Sequence, residues 1–223
     1  MHEKRKIITE VDKKNSIRFW VTVSLSAIVS IVLIKALLFD CYRVPSDDMK
    51  RVLMRGDFVL VWKSSADLPL HPGEVIVFKY PAEPSQYRFG RVLAFGGQTV
   101  KIDGKKLFVD NIPVYERRTV FFSDPNIKED VTSLRDFLGP LRVPGNSYFI
   151  LGDNRDNAID SRNWGALPKE YVLGKPIFVY FSWKPIPGAP KIKGLFSLIG
   201  SFFFNLTHLL NRIGFDRFGR VVR

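Results

Sequence analysis

Two stretches carry side chains with chemistry to offer: "VPSDDMK" at 44–50 and "GDNRDNAIDSRNW" at 152–164. In the first, Ser46 and Lys50 have the residue types of a nucleophile and its base, since a serine hydroxyl attacks only when a neighbouring group takes its proton. Their i, i+4 spacing brings them together on a helix. A segment led by Val44-Pro45 reads instead as extended, which makes them diverge. Asp47 and Asp48 offer an acid pair, but adjacent side chains on an extended chain point to opposite faces and cannot share a proton. In the second stretch Asp153 and Asp156 read as partners for backbone donors or arginines, and Asp160 with Arg162 as an ion pair. The three histidines, His2, His71 and His208, show no ligand spacing, so no metal is expected. Cys41 is the one cysteine. That excludes an intrachain disulfide and a cysteine metal cluster, and Leu38-Phe39-Asp40 before it does not suit lipidation. No cofactor is expected.

The elements that must position these residues follow from pattern and composition. The chain has 223 residues, 46% hydrophobic and 13% aromatic, with a formal net charge of +12. That is enough apolar material for a real core. The charge favours anionic partners, phospholipid headgroups or nucleic acid. Residues 1–18 form a polar basic tail, and 19–39 ("FWVTVSLSAIVSIVLIKALLF") are apolar except for Lys35. A helix of that length rises roughly 30 Å, the thickness of a hydrocarbon core. Lys35 lies one turn from its end, where a lysine stem reaches the interface. Cations cluster before the span, so the tail is expected in the cytoplasm and the rest outside. No small-x-small site follows the span, so it reads as an uncleaved anchor. Anchor and exported topology argue against a nucleic-acid partner.

From residue 57 the period changes to that of strands: 58–63, 74–80, 91–95, 148–151 and 176–183 are short, β-branched or aromatic, and bounded by Gly, Pro or Asp. Residues 99–109 read as a hairpin turning at Asp103-Gly104, and 122–136 as an inserted loop or short helix. The expectation is a mainly β fold, an antiparallel barrel-like or sandwich-like body over 40–190. In 191–223, apolar residues at helical spacing over 195–213 followed by Arg217, Arg220 and Arg223 predict a basic amphipathic helix, either on a membrane surface or packed on the protein's own core.

Residues 147–183, "SYFILGDNRDNAIDSRNWGALPKEYVLGKPIFVYFSW", resemble the Gly-Asp-Asn-Arg-Asp-Asn box of bacterial type I signal (leader) peptidases, with that family's Asp-Ser-Arg and Trp-Gly. The anchor, "VPSDDM" (44–49), "GDFVLVWK…PGEVIVFKYP" (56–81) and "YRFGRVLAFGGQTV" (87–100) match in the family's order. The resemblance implies an anchored serine endopeptidase that cuts signal peptides with a Ser–Lys dyad, the lysine kept unprotonated by desolvation. Carried across, it places Asp48 at the nucleophile, Gly90 at the base and Ala158 at the lysine-orienting serine. Ser46 keeps the oxyanion-side hydroxyl. Met49, Gly56, Asp57, Arg91, Gly152, Asp153, Asn154, Arg155, Asp160 and Arg162 keep the scaffold pattern. It therefore implies a peptidase mouth without its attacking and proton-shuttling atoms: a bacterial membrane pseudoenzyme binding exported preproteins, pilin-like or other secreted polypeptides, and membrane lipids. The competing expectation is an active signal peptidase using non-standard residues.

Overall fold

The computed structural model describes residues 2–63, 69–115, 119–128, 134–186, 201 and 204–222, with side chains from residue 16 except 34 and 35. It divides into two units, Met1–Asp40 and Cys41–Arg223. The first is one helix, α1 (His2–Leu38), whose stretch Ser16–Leu38 is long and apolar enough to cross a membrane. Its described apolar side chains, Phe19, Trp20, Leu25 and Ile31 among them, are exposed. Two of its hydroxyls bond locally: Thr22 Oγ1 donates to the Arg18 carbonyl and Ser26 Oγ to that of Val23, each at 2.9 Å.

The second unit is built from antiparallel strands. In chain order these are β1 (Phe39–Arg43), β2 (Asp57–Lys63), β3 (Val75–Tyr80), β4 (Glu83–Phe95), β5 (Thr99–Asp103), β6 (Lys106–Val109), β7 (Ile112–Pro113), β8 (Leu138–Arg142), β9 (Ser147–Leu151), β10 (Leu167–Pro168) and β11 (Val172–Ser182). They form a seven-stranded sheet in the order β1-β2-β11-β3-β4-β9-β10 and a four-stranded sheet in the order β7-β6-β5-β8. Alternation along β3 shows why both faces of the larger sheet are covered. Val75 and Val77 pack with Val59, Val61, Phe89 and Val179 on one side, whereas Ile76 and Phe78 pack with Val92, Ile150 and Leu167. A third cluster (Leu93, Val100, Ile102, Leu107, Phe149, Leu151) joins β4 and β9 to the smaller sheet.

Three local expectations need correction. The hairpin turns one residue later than read, at Gly104 (φ 55°) and Lys105 (φ 68°), with Asp103 opposite Lys106. The unusual φ of Lys105 is held by its ammonium, which donates to the Asp124 carbonyl (2.6 Å) and to Asp156 Oδ1 (3.0 Å) and lies 3.6 Å from Asp136. Residues 47–53 are not extended but successive turns, with Lys50 N–H bonded to the Asp47 carbonyl and Leu53 N–H to that of Met49. The third concerns the basic tail, of which 187–200, 202, 203 and 223 lie outside the described residues. Beyond α3 (Leu209–Arg212) the chain folds onto β11: Val179 N–H donates to the Arg220 carbonyl and Val222 N–H to that of Ile177. Arg217, read as a membrane-surface cation, is buried because it meets the buried carboxylate of Asp57.

Lys105 and Arg135 together gather Asp124, Asp136 and Asp156, tying the 122–136 insertion to the hairpin and to the loop after β9. For Asp156 and Asp136, burial is the largest influence and raises the carboxyl. Hydrogen bonds and the charges of Lys105 and Arg135 outweigh it, so both lie below the ordinary value. A depressed carboxyl stabilises the fold above its unfolded value, about 4, and that stabilisation is lost as pH falls through the folded value. Hydrogen exchange at stepwise lower pH is therefore expected to open residues 119–128 before β3, β4 and β9, starting below about pH 4. Lys105→Met, which leaves Arg135 in place, should narrow the difference.

Candidate functional site

The residues singled out in 44–50 lie on a closed loop. Val44 N–H donates to the Asp57 carbonyl (2.7 Å) and Gly56 N–H to the Val44 carbonyl (3.0 Å), so Val44 and Gly56-Asp57 form its neck. Met49, Val52 and Leu53 drop from the loop into the core beside Val59 and Val77, which fixes its inner side. Gly56 is required at the neck: its φ is 97°, and a Cβ there would stand 2.1 Å from the Trp183 carbonyl oxygen.

A second loop, after β9, grips this one from the other side. Asn154 N–H donates to the Asp48 carbonyl (2.9 Å), and Asn154 Nδ2 to that of Asp47 (3.1 Å). Gly152 lets them touch, since a Cβ on it would lie 2.7 Å from the Asp48 oxygen and 2.4 Å from Ala158 Cβ. The grip is rigid because its base is a set of buried ion pairs. Arg91 on β4 meets Asp153 bidentately (Nε–Oδ1 2.8 Å, Nη2–Oδ2 2.5 Å) and donates Nη1 to the Gly73 carbonyl (2.5 Å). Asp160 accepts from the Gly152 N–H (3.0 Å), caps the short helix α2 (Ser161–Trp164) and holds Arg162 through two bonds (2.9 and 2.8 Å). Arg155 donates Nε to the Gly152 carbonyl at 3.0 Å.

At the tip, Ser46, Asp48 and a residue the sequence reading did not single out come together. Ser46 Oγ donates to Asp48 Oδ2 (2.7 Å), and Arg88 Nη1 donates to that same oxygen (2.8 Å). The ion pair is largely out of water, its side chains 16% (Arg88) and 10% (Asp48) exposed. The guanidinium lies over the Tyr80 ring, with Cζ 4.6 Å from the centroid, an arrangement that suits a flat, weakly hydrated cation. Asp47 takes no part: its Oδ1 accepts from the Arg55 N–H at 3.3 Å. A signal for Arg88 did exist in the sequence. It stands two residues before Gly90 on one strand, hence on the same face; that the carboxylate at 48 is buried and calls for a cation only the fold shows.

Gly90, on β4 between β3 and β9, is buried. A Cβ there would be 2.4 Å from Ile150 Cγ2 and 3.3 Å from Phe78 Cε1. Ile150 is fully buried and β-branched, so it has little freedom to retreat. Among the described residues no metal-binding cluster of His, Cys, Asp or Glu is present.

Residues 17–183 match the family model described as signal peptidase, peptidase S26. The chain belongs to that family. It is 29% identical over 215 residues to signal peptidase I of Pseudomonas fluorescens, covering 76% of this chain and 74% of that one. It is 30% identical over 180 residues to signal peptidase I of Bacillus licheniformis, covering 78% and 94%. Among solved structures, a signal peptidase I of Enterococcus faecalis is similar at 25% identity, with a TM-score of 0.39 over 48% of this chain and 96% of that one.

The Asp48–Arg88 pair sets a test. Removing one partner of a largely buried pair strands the other charge, so Asp48→Asn and Arg88→Met are each expected to lower stability by about 2–4 kcal/mol, and the double variant by clearly less than the sum. Denaturant midpoints of the four proteins measure the coupling. Additive costs would show that the pair does not form.

Proposed function

We propose that this signal peptidase family member is a pseudopeptidase: it sits in a bacterial cytoplasmic membrane and binds exported polypeptides without cutting them. Asp48, Gly90 and Ala158 are read as occupying the nucleophile, base and lysine-orienting positions, with Ser46 as the surviving oxyanion-side hydroxyl. Serine peptidase chemistry needs a hydroxyl whose proton has somewhere to go. The observation that carries the reading is that Ser46 donates to a carboxylate oxygen already held by Arg88. A guanidinium is a hydrogen-bond donor with no lone pair to offer as a base. At Gly90 there is neither an amine nor, with Ile150 Cγ2 2.4 Å from a would-be Cβ, space for its stem. Loss of attacking and shuttling groups leaves only the residual rate that binding and oxyanion donors supply.

The remaining parts fit a binder. The loops at 44–57 and 152–162 are held by buried ion pairs and backbone hydrogen bonds, and an extended peptide can add to such a fold as a strand. The ligands in this reading are exported preproteins or other secreted chains, pilin-like subunits among them, with α1 anchored among membrane lipids. Residues 1–18 stay in the cytoplasm, 19–39 cross, and the β domain lies outside. Its role is that of a chaperone, scaffold or assembly factor.

A second reading, an active signal peptidase with non-standard residues, draws on the same 2.7 Å hydrogen bond, with Asp48 as proton acceptor for Ser46. Full-length protein in detergent, incubated with a synthetic preprotein, separates the two. The expected outcome is binding without turnover. Cleavage above the detergent blank that vanishes in both Ser46→Ala and Asp48→Asn would establish the second reading. Replacing Asp48→Ser, Gly90→Lys and Ala158→Ser together is expected to yield turnover only when Ile150→Ala makes room for the new side chain.

A further inference from the structure

The family match ends at residue 183, yet a side chain from well beyond it is among the most deeply buried in the second unit. Arg217, 2% exposed, reaches the neck of the 44–57 loop. Its Nη2 pairs with Asp57 Oδ2 and donates to the Val52 carbonyl at 2.9 Å. Asp57 is itself fully buried: Oδ1 accepts from Ser182 Oγ (2.7 Å) and Oδ2 from the Met54 N–H (2.9 Å). Hydroxyl and amide alone do not balance a carboxylate taken out of water; a cation does. The matched part of the fold thus carries a buried charge whose guanidinium comes from outside the match.

The backbone around Arg217 shows how it is delivered. β3 pairs with β11 at Val172 and Gly174, so farther along β11 the edge opposite β2 offers backbone groups that β3 does not take. The tail takes them up. Gly219 N–H donates to the Val179 carbonyl (2.9 Å), Val179 N–H to the Arg220 carbonyl (3.0 Å) and Gly214 N–H to the Ser182 carbonyl (3.0 Å). Arg220 Nη2 reaches the Arg51 carbonyl at 2.6 Å, on the same loop as Ser46 and Asp48. Arg217 and Arg220 therefore hold the loop through Asp57, Val52 and Arg51 without touching its tip.

We infer that Arg217 is a positioning residue of the Ser46–Asp48 site, and that the segment 212–222 is a clasp holding the site-bearing loop in place. The inference rests on the location of the site at that loop and holds whether the protein binds or cuts its ligand. It differs from a general stabilising role in where its loss is felt. Val44, Leu53 and Gly56 give up protection, while β4 and β9, held by Arg91–Asp153, do not.

Hydrogen exchange on the full-length chain in detergent tests it without a ligand. In Arg217→Met the amides of Val44, Leu53 and Gly56 are expected to exchange about ten-fold or more faster, with β4 and β9 changed by less than about two-fold. Arg217→Lys keeps a charge but loses the fork that reaches both Asp57 and Val52, and is expected to fall between the two. It also decides the question if Arg217→Met does not fold. Unchanged exchange in 44–57, or an equal increase throughout β4 and β9, would overturn the inference. Peptide binding measured on the same variants is a separate readout, so failure of the binding reading would leave the exchange result standing.

Discussion

A carboxylate removed from water has to be met by a cation, and the loops around the site are organised by that requirement. Asp153 meets Arg91, Asp160 meets Arg162, Asp57 meets Arg217 and Asp48 meets Arg88. These loops have no ladder of strand hydrogen bonds to fix them, and the ion pairs do that work with directional geometry, two-point in every pair but Asp48–Arg88, which meets through one carboxylate oxygen. Removing one member of a fully buried pair costs about 3–5 kcal/mol, and less for the partly exposed Asp48–Arg88, because the other is stranded, although the intact pair contributes much less to net stability. The arrangement therefore specifies where the loops sit more than how stable the fold is.

The same requirement decides the chemistry at the loop tip. With aspartate at 48 the tip is anionic, and the cation that answers it is Arg88, placed by β4 on the face that also carries Gly90. Ser46 then hydrogen-bonds into a formed ion pair instead of toward a base. Glycine is a poor strand residue, but inside β4 it lets Ile150 and Phe78 close over the position. The three features occur together: a fixed anion, a fixed cation beside it, and no free volume for a side chain at Gly90.

Much of the second unit was legible as sequence. The runs that became β2, β3, β9 and β11 are apolar because their sheet is covered on both faces, and such runs stand out from their Gly- and Pro-rich surroundings. The motif residues at 44–57 and 152–162 were legible because each set lies within one short stretch. The hairpin was misplaced by one residue because Lys105 accepts a positive φ only through contacts with Asp124 and Asp156, distant in the chain. The burial of Arg217 was not legible for a related reason: a surface arginine and a buried one look alike until the carboxylate that meets it is known. Arg88 escaped notice on the same ground.

By itself, then, the sequence determined the apolar span, the strand-rich body and the resemblance to the family, since each is written in local pattern. Tertiary structure decided which charges meet. Arg88 with Asp48 and Arg217 with Asp57 join residues 40 and 160 positions apart, and the filling of the space at Gly90 depends on a side chain from another strand. Burial sets the sign and strength of such contacts, and burial is a property of the packed whole that no short stretch of chain carries.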